Sequence, residues 1–156
     1  MHILPADHRL RAAHVSRALV ASLVGTLLAV PATAQAQSGK WVATISQLGS
    51  AGGAADVTVD PRNDKQSRAK ITFRNTKRDM KLGWDIVVGH CRDEGAPIAA
   101  QAAFTQVQTQ LDGGGTASAN VPKLESGKMY YVRVYDPQTA VTDASAFGCA
   151  NLNEKM

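Results

Sequence analysis

The sequence predicts an all-β domain, an antiparallel β-sandwich of about seven short strands, with a small closed barrel as the alternative architecture. Three observations carry that expectation. Apolar side chains alternate with polar ones along most segments after residue 37. Gly-rich turn signals, "SAGGAA", "DEGAP" and "LDGGGTAS", separate those segments. No apolar stripe of period 3.6 runs longer than two turns.

In chain order, the N-terminus comes first and reads as a leader. Arg9, Arg11 and Arg17 stand with a single acid, Asp7, ahead of the uncharged run "ALVASLVGTLLAV". That run has the length of a signal-peptide apolar segment and is short for a bilayer span. "PATAQAQ" follows and offers cleavage after Ala34 or after Ala36. Cleavage after Ala36 is favoured, which divides the chain into a signal peptide, 1–36, and a domain, 37–156. The expected location is the periplasm or the outside of the cell, with no transmembrane span after processing.

The strands follow. "WVATISQL" puts Trp41, Ala43 and Ile45 on one face. "ADVTVDP" points Val57 and Val59 away from Asp56, Thr58 and Asp60, and stops at Pro61. "RAKITFRNT" sets Ala69, Ile71 and Phe73 inward, with Arg68, Lys70, Thr72 and Arg74 outward. "MKLGWDIVVG" places Leu82, Trp84, Ile86 and Val88 on one face, and "KMYYVRVYDP" places Tyr130, Val132 and Val134 likewise. "APIAAQAAFTQVQTQL" is ambiguous between helix and strand.

Processing changes the census. Three of the four histidines precede residue 37, so the domain keeps only His90. It holds 14 basic and 12 acidic side chains, a net of +2. That weak balance and an exported location argue against nucleic acid as a partner. Cys91 and Cys149 both remain, and two cysteines in an exported domain most simply form one disulfide. The chain between them spans 58 positions, for which the chain-entropy model gives roughly 4 kcal/mol of stabilisation.

The residues that could carry chemistry are few. His90 beside Cys91 reads as a thiolate–imidazole pair only if Cys91 is free, and otherwise as a loop histidine next to a staple. Asp85 lies mid-strand between Trp84 and Ile86. With Tyr131, Arg133 and Tyr135 it is expected on an outer, solvent-facing sheet surface that could bind a partner. The basic run from Arg62 to Lys81, including Arg68, Lys70 and Arg74, reads either as a solvated face or as an attachment surface for an envelope protein or another anionic surface.

Taken together, "WDIVVGHC", "FGCANL" and the intervening "LDGGGTASANVPKLESGKMYYVRVYD" resemble the copper–zinc superoxide dismutase-like family. The resemblance spans most of residues 41–152 and rests on element order plus the paired cysteines. It implies an eight-stranded Greek-key sandwich. It does not extend to the metal. Asp85 and Val87 stand where the family's H-x-H histidines would be, and Tyr135 stands where a later copper histidine would be. A copper site needs several imidazoles, and the domain has one histidine. The expectation is an exported, disulfide-stabilised scaffold with no cofactor and a binding or structural role. The alternative is a dismutase-like metal enzyme with an atypical ligand set around His90, Asp85 and Tyr135.

Overall fold

The computed structural model describes residues 39–155. The expected leader and its cleavage point after Ala36 lie outside the described residues. The described residues form one compact unit.

Nine strands build it: β1 (Lys40–Ile45), β2 (Ala54–Pro61), β3 (Gln66–Arg74), β4 (Lys81–Val88), β5 (Val107–Gln108), β6 (Gly115–Pro122), β7 (Tyr130–Tyr135), β8 (Ala146–Asn151) and β9 (Asn153–Lys155). Single 3₁₀ turns at Gly49–Ala51, Gln101–Ala103 and Asp143–Ser145 are the helical elements among the described residues. The strands form two antiparallel sheets, ordered β6-β3-β2-β1-β9 and β5-β4-β7-β8. The ambiguous segment after "DEGAP" resolves into a 3₁₀ turn and the two-residue strand β5.

The period-two pattern explains the core. Trp41, Val57, Ile71, Phe73 and Val121 of the first sheet join Trp84, Ile86 and Val132 of the second in one buried cluster. Trp84 packs edge-on against Phe104, with ring centroids 5.0 Å apart, and donates its indole N–H to the Thr105 carbonyl at 2.9 Å. Burial of these apolar faces is the main force holding the two sheets together. Val88 departs from the expected inward pattern and is 46 % exposed. It is the last residue of β4, and Gly89, with φ at 115°, turns the chain away just after it.

Cys91 and Cys149 form the expected disulfide, with Cα atoms 5.6 Å apart, inside the usual range for such bonds. It joins the loop after β4 to the middle of β8. Asn151 reinforces the junction by accepting a hydrogen bond from the Cys91 backbone N–H at 2.7 Å.

Candidate functional site

The outward face of β4 and β7 contradicts one expectation. Asp85, Tyr131, Arg133 and Tyr135 do not lie on a solvent-facing surface: they are buried, from 0 % to 6 % exposed, as is Val87. Strand alternation does turn them away from the core, but the chain after β4 folds back over them. Its backbone pairs with the edge of β4, through Val88 N to the Ala96 carbonyl at 3.1 Å and Ile98 N to the Ile86 carbonyl at 2.9 Å. A bridge between Val87 and Pro97 completes this extra pairing. Tyr131 donates its hydroxyl to the Asp93 carbonyl at 2.6 Å, and Gln101 Nε2 donates to the Tyr135 hydroxyl at 3.2 Å. At Gly95 even a methyl group would run into the Val87 side chain and the Val88 carbonyl. The roof is therefore fitted to the strand beneath it.

Under this roof Asp85 and Arg133 face each other across the β4–β7 register. Arg133 donates Nε to Asp85 Oδ1 at 2.8 Å and Nη2 to Oδ2 at 2.9 Å. Two parallel bonds from a planar guanidinium to a carboxylate are the strongest ion-pair geometry available to side chains. Burial is tolerable here because each charge meets its opposite. Tyr135 lies beside the pair, its ring stacked where a Gly83 side chain would otherwise be. Burial pushes the Tyr135 hydroxyl pKa up, the Gln101 hydrogen bond opposes that, and the Asp85 charge adds to it.

A cleft of about 340 Å³ opens onto the pair, lined by Asp85, Arg133, Glu94, Gln101, Val141 and Thr142 among others. The sequence reading gave Glu94, Gln101, Val141 and Thr142 no role. Nothing in their local pattern marks them, since two separate connections, β4–β5 and β7–β8, place them. His90, expected as the centre of an atypical ligand set, stands apart from the cleft lining. Its ring is 55 % exposed and its Nδ1 lies 3.4 Å from Asp93 Oδ2. Among the described residues no group of three or more His, Cys, Asp and Glu side chains is placed to hold a metal ion.

The expected basic residues fall on the opposite side of the domain. Arg68, Lys70 and Arg74 project outward from β3, the second strand of the five-stranded sheet, and are exposed. Arg74 pairs with Asp56 at 2.6 Å, and Thr44 donates its hydroxyl to the same carboxylate. Lys40 pairs with Asp60 at 3.4 Å. The two candidate surfaces, the β4–β7 face and the basic run, thus lie on different sheets. No helix among the described residues is long and apolar enough to cross a membrane.

Fold and site together define a disulfide-tied all-β domain of two antiparallel sheets with a roofed ion pair on one outer face. Comparisons with protein-family models, curated proteins and solved structures find no match to this chain.

Proposed function

We propose that the protein is an exported, non-catalytic binding or structural domain on a superoxide dismutase-like scaffold that lacks the metal site. The strand order supports the Greek-key part of that reading. β6 returns to lie beside β3 and β7 beside β4, each across an intervening pair of strands. A disulfide in the expected position is compatible with an oxidising, exported location.

The bidentate Asp85–Arg133 pair carries the metal-less part. The resemblance puts Asp85, Val87 and Tyr135 at the positions of copper histidines. Both Asp85 oxygens accept hydrogen bonds from a fixed cation, Val87 offers no donor atom, and Arg133 places a positive charge where a metal ion would have to sit. Neutral imidazole donors, which copper prefers, are absent from this face. The residues present do not fit the metal. What they do fit is a preformed cleft with a polar floor, the usual anatomy of a small binding site.

The test is metal content and activity on the mature protein. After dialysis against a chelator and challenge with copper, the expected result is less than one tenth of an equivalent of metal retained, and superoxide consumption no faster than buffer. Stoichiometric copper, iron or manganese that survives chelation would overturn the reading.

A further inference from the structure

The outer face of the five-stranded sheet carries a second site, unrelated to the cleft. Pairing of β3 with β6 sets Arg68 opposite Asn120 and Lys70 opposite Ser118. The β2–β3 turn bends back so that Arg62 bonds the Gln66 carbonyl through its backbone N–H at 2.9 Å. Asn63 holds that turn, accepting from the Lys65 and Gln66 N–H groups at 2.9 and 2.8 Å. The result is a hollow of about 290 Å³ lined by Arg62, Arg68, Ser118, Ala119 and Asn120.

Its electrostatics are one-sided. Among the described residues no carboxylate lies within ion-pair distance of Arg62, Arg68 or Lys70. The nearest acid in the register, Asp60 opposite Arg68, is already engaged by Lys40 at 3.4 Å. Asp56, four positions back along β2, is engaged by Arg74 and Thr44. Two arginines, an asparagine and a serine therefore line one concave spot with Lys70 at its flank. Forked N–H donors matched to a tetrahedral oxyanion are how proteins hold phosphate and sulfate esters. The volume admits such a group with part of the molecule bearing it.

We propose that Arg62 and Arg68, with Ser118 and Asn120, form a binding site for a phosphate or sulfate monoester group. Lys70 adds long-range attraction, and the flat strand face around the hollow accommodates whatever carries the ester. The site goes beyond the metal-less reading and stands whether or not that reading holds.

Isothermal titration of the mature, oxidised protein with inorganic phosphate in 0.15 M sodium chloride tests it. We expect saturable one-to-one binding with a dissociation constant on the order of 1 mM, weakened roughly tenfold or more by Arg62→Ala and again by Arg68→Ala. Lys81→Ala and Arg92→Ala, which remove the same charge elsewhere, should change it less than twofold. Equal weakening by those control variants, or no saturation by about 10 mM phosphate, would overturn the proposal. A second arm distinguishes the source of the ester. Glycerol 3-phosphate and phosphatidate vesicles both binding through Arg62 and Arg68 would identify a lipid headgroup. Binding of the soluble esters alone would identify a free ligand. Vesicle binding insensitive to Arg62→Ala and Arg68→Ala, without phosphate binding, would mean diffuse attraction and no site.

Discussion

Asp85 and Arg133 are each other's answer to burial, and their variants should behave asymmetrically. Arg133→Met alone leaves a buried carboxylate without its guanidinium and should cost about 3–5 kcal/mol. The double variant Asp85→Leu with Arg133→Met should recover most of that, because an apolar pair of similar size needs no compensating charge. Urea midpoints of the single and double variants check both statements, and a double variant as weak as the single would contradict them. Tyr135 has its own signature in pH. Its hydroxyl pKa is raised in the folded state, so the folded protein keeps a proton that the unfolded chain loses near pH 10. Its contribution is complete below that point and is lost as pH rises from about 10 through the folded value. Tyr135→Phe should flatten this part of the alkaline stability profile, measured as urea midpoints from pH 8 to 11. At this scale the sequence was half legible. Alternation assigned Asp85, Tyr131, Arg133 and Tyr135 to the right side of the sheet. It carried no information about what lay on top of them, because covering depends on the path the loop takes after β4.

The elements show where that loop gets its shape. Gly83, the first residue of "GWDIVVGHC", leaves room in β4 for the Tyr135 ring of β7, and a methyl group there would displace it. Gly83→Ala should destabilise the domain by about 1–3 kcal/mol and displace the Tyr135 hydroxyl from Gln101, readable by denaturation and by the NMR shift of the glutamine amide. The Cys91–Cys149 bond acts over a longer distance. It fixes the start of the roof to β8 and closes 58 positions of chain. Replacing both cysteines by serine should cost up to about 4 kcal/mol, observed as a lower thermal midpoint that matches the reduced wild-type protein. Strand existence was readable element by element, because "RAKITFRNT" and "WVATISQL" alternate cleanly. The two-residue β5 and the three-residue β9 were not, since such short pairings are imposed by neighbouring strands and leave no periodicity of their own.

Across the whole molecule, charge is divided between two sides. The outer face of the five-stranded sheet carries Lys40, Arg68, Lys70, Arg74 and Lys155 against Asp56 and Asp60. The cleft on the other sheet is lined by two carboxylates, Asp85 and Glu94, and one guanidinium, Arg133. The net charge of +2 for residues 37–156 averages over that division, which only the arrangement of the sheets reveals. In an external field such a division exerts a torque that turns the basic side toward negative potential.

The two tryptophans have a use beyond packing. Trp41 sits in β1 of one sheet and Trp84 in β4 of the other, 4 % and 0 % exposed. Trp84 donates to Thr105, whereas the Trp41 indole N–H has no acceptor among the described residues and the Trp41 ring meets the Tyr130 ring edge-on at 5.5 Å. Each sheet thus contains one tryptophan in a distinct environment, and Trp41→Phe or Trp84→Phe silences one indole. Emission from the two single-tryptophan proteins should report superimposable unfolding curves once each is scaled to its own midpoint stability, as a sandwich sharing one core requires. A broader or biphasic curve from one indole would mean that its sheet melts while the other still stands.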